Sequence, residues 1–211
     1  ALNLTIDRQA ICEELFYDLE TPANAIFNSS LPYCDVGIEP YDFDVEKAKS
    51  LLDDSGWVDS NGDGIREKDG IKLEGEILFV NSKAEAEDLL MYIESASKEI
   101  GMEISITQLD LMAFIDQTMQ SNFTMAYNDS YGVPYEPYWQ INNFRTEPMM
   151  DVLGAQALSH LEDGNSIINS LMTMTDASDI QNQFDFILKE IRKNASFAPI
   201  SNMKELIVYN K

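Results

Sequence analysis

The middle of the chain alternates between two hydrophobic periods, and this alternation limits the possible folds more than any other feature. Apolar residues recur at about every second position in Ile71–Val80, Glu103–Leu109 and Phe123–Tyr127, which predicts three β-strands. Helical spacing fills the segments between them, from Ser82 to Gly101 and from Leu111 to Met119. A β-α-β-α-β order of this kind predicts a largely parallel sheet with helices packed against it.

Residues that typically begin and end helices support the predicted helices. Asp44 is expected to cap a helix that ends at Gly56, with a buried stripe formed by Val45, Ala48, Leu51 and Leu52. Further helix starts are predicted by a capping box at Ser82 and Glu85 and by a cap at Thr175 or Asp176.

Both ends of the chain lack the elements that usually close a domain. Apolar residues recur at helical spacing from the first residues of the chain, and no capping residue precedes Ala1. Two late strands are predicted at Ala198–Ile200 and Leu206–Tyr209, and the second stops just before Lys211. We therefore expect residues 1–211 to form a single α/β unit that is truncated at both ends.

Acidic residues greatly outnumber basic ones. The chain carries 37 Asp and Glu against 14 Lys and Arg, so its formal net charge is −23. A field of that sign repels phosphate backbones and anionic lipids, which argues against nucleic-acid and membrane-surface binding. No apolar run is long enough to predict a transmembrane helix.

The residues used by common catalytic and metal sites are scarce. One histidine, His160, is too few for a His-rich zinc site or a His-based triad. The nucleophile-elbow, phosphate-loop and dinucleotide-binding motifs are absent from the sequence. Two cysteines, Cys12 and Cys34, do not make a disulfide framework, although one bridge between them stays open. We therefore predict neither catalysis nor a cofactor.

A partial calcium-loop pattern precedes the first predicted strand. Asp59, Asn61, Asp63 and Gly64 stand at the first, third, fifth and sixth positions of such a loop. The twelfth position, which needs a bidentate glutamate, is Gly70. A turn rich in Asp and Asn that leads into a strand is the favoured interpretation, and Asp59, Asn61 and Asp63 are only a weak calcium candidate.

A proline-rich aromatic stretch follows the third predicted strand. Residues 128–139 contain one glycine, two prolines and four rings: Tyr131, Tyr135, Tyr138 and Trp139. Proline and glycine argue against a regular helix or central strand here. Ligands on parallel sheets gather beyond the carboxyl ends of the strands, which is where this stretch lies. It is expected to line a ligand cleft, although rings that simply pack onto the core would give the same composition.

Several motifs together resemble one protein family. They are the opening run Ala-Leu-Asn-Leu-Thr-Ile-Asp-Arg-Gln-Ala-Ile, the segment 41–52 with the following Gly56-Trp57, the turn Asn61-Gly62-Asp63-Gly64-Ile65-Arg66, and Ala198-Pro199-Ile200. In this order they resemble the extracellular solute-binding proteins, family 5, of ABC importers, which carry peptides and nickel complexes.

The resemblance implies a fold, a partner and a location. It implies an α/β, periplasmic-binding-protein-like (type II) lobe with a mixed, mostly parallel sheet and helices on both faces. Residues 1–211 would be the C-terminal ligand-binding lobe of a two-lobed monomer. Such a protein would deliver a small-molecule solute to an ABC permease, either in the periplasm or outside the cell as a surface lipoprotein.

The same resemblance implies residues for the site. The nickel-type branch reads W-G-A-P-Y-D-P-H, which matches residues 131–138, with an arginine following at Arg145. Tyr131 and Tyr135 would then form aromatic walls around a metal chelate, and Arg145 would lie near the chelator's carboxylates. A histidine that ligates nickel in some relatives is Met149 here, which leaves capture of a pre-formed chelate.

Two other functions remain open. Peptide-binding relatives carry an aspartate where this chain has Pro134, so a peptide's ammonium group would need Asp129 or Glu136 instead. Tyr138 and Trp139 complete the expected ligand-binding set in either case. The alternative of another class is an acidic surface domain that makes only protein contacts.

Overall fold

A computed structural model describes residues 1–80, 84–129, 136–147 and 151–203, and the structural statements below concern these residues. None of their helices is long and apolar enough to cross a membrane. In chain order the elements are a 3-10 turn Leu2–Leu4, α1 (Arg8–Ala10), a π-turn Ile11–Leu15, β1 (Thr21–Pro22), α2 (Val45–Asp54), β2 (Glu67–Lys68), β3 (Ile71–Lys72), β4 (Glu74–Val80), α3 (Ala84–Lys98), β5 (Glu103–Leu109), α4 (Leu111–Met119), β6 (Met125–Ala126), α5 (Pro137–Asn142), a 3-10 turn Gly154–Ala157, α6 (Gly164–Thr173), α7 (Ala177–Asn194) and β7 (Ser201–Asn202).

The central sheet is parallel, as the alternating pattern predicts. Its strand order is β5-β4-β6. Strand β4 pairs with β5 along its whole length, from Glu74 opposite Glu103 to Val80 opposite Leu109. It pairs with β6 only at Ile77 and Leu78, so the predicted strand 123–127 shortens to two residues.

Helices cover both faces of this sheet. Strands β5 and β6 lie on opposite sides of β4, so right-handed crossovers put α3 on one face and α4 on the other. The α3 face is a packed core in which Ile77 and Phe79 of β4 meet the predicted helical stripe, including Leu89, Leu90 and Ile93. The helix ends before Gly101.

The strand predicted over residues 71–80 is divided in two. Residues Asp69 and Gly70, with φ of +53° and +79°, form a two-residue turn that joins β2 and β3 as a hairpin. Leu73 lies between β3 and β4 and packs into a separate small core. The single-strand prediction was therefore wrong, because the tight turn directs residues 71–72 onto β2 instead of the main sheet.

Two helix predictions near the amino end also need correction. The first helix begins at Arg8, where Asp7 accepts a hydrogen bond from Ala10 N at 3.0 Å, and not at Ala1. Asp44 caps α2 as predicted, by accepting from Lys47 N at 2.8 Å. Of the expected stripe, however, only Ala48 and Leu52 are buried, and Leu51 is 44% exposed.

The second half of the chain has its own helical core. Helices α5, α6 and α7 bury a shared set of residues around Phe144 and Phe184. Asp176 is the cap of α7 and accepts from Ser178 N at 2.8 Å. Cys34 belongs to this core, whereas Cys12 lies in the π-turn after α1, and the two buried residues form no disulfide.

The end of the described chain returns to its beginning. Strand β7 pairs antiparallel with β1, so the late strand lies just after the predicted Ala198–Ile200. The Arg8 guanidinium donates from Nε to Pro199 O at 2.6 Å. The strand predicted at 206–209 lies outside the described residues.

Candidate ligand-binding edge of the sheet

The three parallel strands end at one edge, and the candidate site is built on that edge. Their last residues are Val80, Leu109 and Ala126. Asp110 follows β5 and caps α4 by accepting from Ala113 N at 2.9 Å. Asp129 lies three residues after β6. Polar side chains thus follow the two outer strands of the three, at the edge where ligands bind on sheets of this kind.

Asp129 is held beside the end of β6. Tyr127 N donates to Leu78 O at 2.8 Å and so continues the ladder between β4 and β6. The Tyr127 hydroxyl then donates to Asp129 Oδ1 at 3.0 Å. Because Tyr127 also packs against the α3 core, its ring gives Asp129 a fixed support. The carboxylate remains half-buried.

Glu136 and Pro137 start a helix that proline had been expected to exclude. Pro137 occupies the first helical turn of α5, where its missing N–H costs nothing. Both Glu136 carboxylate oxygens accept backbone hydrogen bonds, from Tyr138 N at 3.2 Å and from Trp139 N at 2.9 Å. The expected irregular loop therefore ends at residue 136, and Glu136 has a structural role as the cap.

Helix α5 separates Tyr138 and Trp139, the two aromatic residues of the expected ligand-binding set that the structure describes. Tyr138 packs edge-on against Tyr33 and Phe184, with ring centroids 6.1 Å and 5.1 Å away. Burial raises the pKa of the Tyr138 phenol, and neighbouring Tyr33 and Glu136 contribute in the same direction. The Trp139 side chain is 59% exposed. Trp139 is therefore the ring available to a ligand, whereas Tyr138 mainly contacts the core.

Arg145 lies just after α5 and joins it to α6. Its guanidinium donates from Nε to Asn142 O at 3.1 Å, from Nη1 to Asn169 Oδ1 at 3.2 Å and from Nη2 to Asn142 Oδ1. Within the described part of the chain, no carboxylate forms an ion pair with it. The charge of Arg145 is thus oriented by amides and not neutralised by them, which suits contact with an anionic group.

Several predicted residues lie outside the described part of the chain. They are Tyr131, Pro134 and Tyr135 of the aromatic stretch, Met149, and Ser82 of the expected capping box. The calcium candidate is described, and it does not belong to this edge. Asp59, Asn61 and Asp63 lie in the loop before β2, and Asp63 forms an ion pair with Lys72 of β3, which precedes β4.

The candidate calcium residues form a hydrogen-bonded turn. Asp59 accepts from Gly62 N at 2.7 Å and from Gly64 N at 2.9 Å. Lys72 pairs with Asp63 at 2.7 Å, and this hydrogen bond lowers the pKa of the Asp63 carboxyl. Sequence reasoning missed Glu67, whose carboxylate lies within 4.8 Å of those of Asp59 and Asp63. Glu67 is the ninth residue of the loop, a position that also supplies a calcium ligand, so the sequence spacing could have identified it.

These features define a class of protein. The parallel sheet, its two helical layers and the polar carboxyl edge form a lobe of a type II periplasmic binding protein. NikA from Brucella suis, solved in complex with Fe(III)-EDTA, has the same fold with a TM-score of 0.86 and 25% identity. The match covers 96% of this chain and 41% of that one. AppA from Bacillus subtilis, solved with a nonapeptide, shares the fold with a TM-score of 0.78.

The family follows from the sequence comparison. Residues 1–151 match the family described as "Bacterial extracellular solute-binding proteins, family 5 Middle". The chain belongs to this family.

Two curated relatives show how the similarity is distributed. The nickel-binding periplasmic protein of Escherichia coli (strain K12) is 26% identical over 208 residues, which are 99% of this chain and 40% of that protein. The oligopeptide-binding protein AppA of Bacillus subtilis (strain 168) is 27% identical over 130 residues, which are 58% of this chain and 23% of that protein. This chain thus spans at most about two fifths of the length of these relatives.

Proposed function

We propose that this chain is part of the substrate-binding component of an ABC importer and that it captures a small extracellular solute, preferably a nickel chelate. One observation carries the preference for nickel. The similarity to the nickel-binding relative extends over 99% of the chain, whereas the similarity to the AppA peptide binder covers 58%. The NikA fold also superposes better than that of AppA, with TM-scores of 0.86 and 0.78.

Arg145 is the residue that best suits a chelate. A metal chelator presents carboxylates, and an arginine fork binds carboxylates with two parallel hydrogen bonds. The contacts to Asn142 and Asn169 orient the guanidinium without neutralising it. Trp139 offers an exposed ring near the start of the same helix. Tyr131 and Tyr135 would add the aromatic walls in this proposal.

Capture of a pre-formed chelate requires no metal ligand from the protein. The chain's one histidine, His160, has its Nε2 3.6 Å from Glu190 Oε2 of α7. Met149 stands where some relatives carry a histidine. The solute's own donors would therefore hold the nickel, and the protein would recognise the outside of the complex.

The proposal extends to the rest of the system. This chain would form one lobe, and the opposite wall of the cleft would come from residues beyond it. The complete protein would act as a monomer outside the membrane, in the periplasm or as a lipid-anchored surface protein. It would deliver its solute to an ABC permease. It would neither bind nucleic acid nor catalyse a reaction.

Calorimetric titration of the full-length, two-lobed protein tests this proposal. Nickel with free histidine is expected to give binding heat, and a pool of di- and tripeptides without metal is not. Arg145→Gln should weaken nickel–histidine binding by about 1.5–3 kcal/mol, the cost of losing a charged hydrogen bond. Lys193→Gln, at an exposed position of α7, is the matched control and should bind as the wild type does.

Peptide binding is the second candidate, and Asp129 favours it. The Tyr127 hydroxyl holds its carboxylate at the end of β6, where a peptide's ammonium group could pair with it. Glu136 is less suited, because both of its oxygens cap α5. Heat with peptides alone, lost in Asp129→Asn, would establish this alternative and reject the nickel chelate. Membership of a solute-binding family favours either ligand over an acidic domain that makes only protein contacts.

A further inference from the structure

Helix α4 carries an apolar face that none of the described residues covers. Its inward side buries Phe114 and Thr118. Four large apolar side chains on its outer side are 39–72% exposed: Leu111, Met112, Ile115 and Met119. At these spacings they fall within about 100° of one another around the helix, so they form one continuous stripe. A helix of this kind on a soluble protein marks an interaction surface.

The helix that carries the stripe lies in an acidic stretch of the sequence. Between Lys98 and Arg145 the sequence has no Lys or Arg, but it has six acidic residues: Glu99, Glu103, Asp110, Asp116, Asp129 and Glu136. Asp110 caps α4 at the carboxyl edge of the sheet, and Asp116 is exposed on the helix itself. The stripe therefore shares its helix with two acidic side chains, and the chain as a whole is strongly negative.

This charge pattern selects the occupant. A second copy of the chain would bring another net charge of −23, and an anionic lipid surface would bring the same sign. The complementary surface is a protein with an apolar recess bordered by lysine and arginine side chains. An apolar centre that excludes water, surrounded by charged groups, is the usual plan of a protein interface.

We propose that the outer face of α4, formed by Leu111, Met112, Ile115 and Met119, docks into a basic-rimmed apolar recess of the importer's permease. This inference rests on the proposed function. Helix α4 begins at the edge where the solute would bind, since its cap Asp110 directly follows β5. A permease that contacts this face therefore lies beside the cleft, where it can sense whether the two lobes have closed.

Methionine oxidation of the full-length protein gives a direct test. Met112 and Met119 report on the stripe, and Met91, 56% exposed on α3 across the sheet, is the internal control. Dilute peroxide should oxidise all three in the binding protein alone, loaded with nickel and histidine. Addition of the permease in detergent should slow oxidation of Met112 and Met119 by at least about fivefold, as expected for burial in an interface, and leave Met91 unchanged.

Two outcomes would overturn the docking face. Unchanged oxidation of Met112 and Met119 in a complex with the permease would mean that the stripe lies outside the interface. Slow oxidation of both residues in the binding protein alone would mean that another part of the same protein covers the helix.

A pair of variants separates this inference from the proposed function. Met112→Glu with Ile115→Gln should weaken permease binding by at least about tenfold, as expected for loss of central apolar contacts. Calorimetric solute affinity should not change, and Met91→Glu should match the wild type in both assays. Wild-type protein that neither binds solute nor activates the permease would reject the proposed function. Full activation by the double variant, alongside an active wild type, would reject only the docking face.

Discussion

Gly101 is a position where a single added methyl group should disturb the fold in two ways. Its φ of +74° lies in the left-handed region, so an alanine there is strained by about 1–2 kcal/mol. An added Cβ would also lie 2.8 Å from Cγ of Arg66. That side chain donates to Ile100 O at 2.8 Å and to Trp57 O at 2.7 Å, and thereby joins the ends of α2 and α3 to the turn before β2.

The expected cost of Gly101→Ala is the sum of both effects. Displacing Arg66 removes hydrogen bonds from a charged donor, which contribute about 1.5–3 kcal/mol. We therefore expect the free energy of unfolding to fall by about 3–5 kcal/mol, as the strain and the lost bonds together require. Urea unfolding followed by tryptophan fluorescence measures this change, and a matched decrease in the melting temperature should accompany it.

Gly62→Ala provides the control. Its φ is +81°, yet an added Cβ would meet no atom within 4 Å, so only the backbone strain of about 1–2 kcal/mol applies. The difference between the two variants isolates the contribution of the Arg66 contacts. Equal destabilisation by Gly62→Ala and Gly101→Ala would refute the role given to Arg66.

Three further predictions concern α7, the buried thiol and α5. The Ser178 hydroxyl and two backbone N–H groups lower the pKa of Asp176 in the folded protein. Asp176 should therefore stabilise the fold at pH values above its unfolded-state pKa, and this contribution should be lost as the pH falls through its folded-state pKa. Thermal melts of Asp176→Asn across this acid range should depend less on pH than those of the wild type. Burial raises the pKa of the Cys34 thiol to about 12, so a thiol reagent should label Cys34 at pH 8 only after denaturant is added, and fast labelling of the native protein would contradict its placement in the core. Tyr138→Ala should lower the free energy of unfolding by about 2–4 kcal/mol through lost packing. Trp139→Ala should change the free energy of unfolding by no more than about 0.5 kcal/mol but should weaken solute binding. Equal loss of stability in the two variants would mean that the two rings are not divided between core and surface.

Elements that depend on near neighbours could be predicted closely. The boundaries of β5 and α4 match the predicted segments 103–109 and 111–119 residue for residue. Asp44 and the Asp176 alternative were also identified, because a cap is made between residues two or three apart. Periodicity and capping are local properties, so they can be read without knowledge of the rest of the fold.

Burial was less predictable, and α4 shows why. It was predicted as a helix, and it is rich in apolar residues, but Phe114 is the only large one that the structure buries. Leu51 of α2 is a second case. A hydrophobic residue indicates that a helix can be buried, but the residues that cover it come from distant segments.

The candidate site divides in the same way. The parallel strand that precedes the aromatic stretch followed from the β-α-β-α-β order and is confirmed by the pairing of β6 with β4. The roles of individual side chains did not follow. Tyr138 and Trp139 are adjacent and chemically alike, yet the turn of α5 directs one ring into the core and the other to solvent.

The sequence by itself determined the order of strands and helices, many of their caps, the acidic charge and the solute-binding family, because these depend on residue type and short spacing. Only the tertiary structure decided which apolar faces are covered, that Glu136 and Arg145 support α5 at its two ends, and that Glu67 lies beside Asp59 and Asp63. Those properties depend on contacts between residues whose relative positions are set by packing of the whole chain.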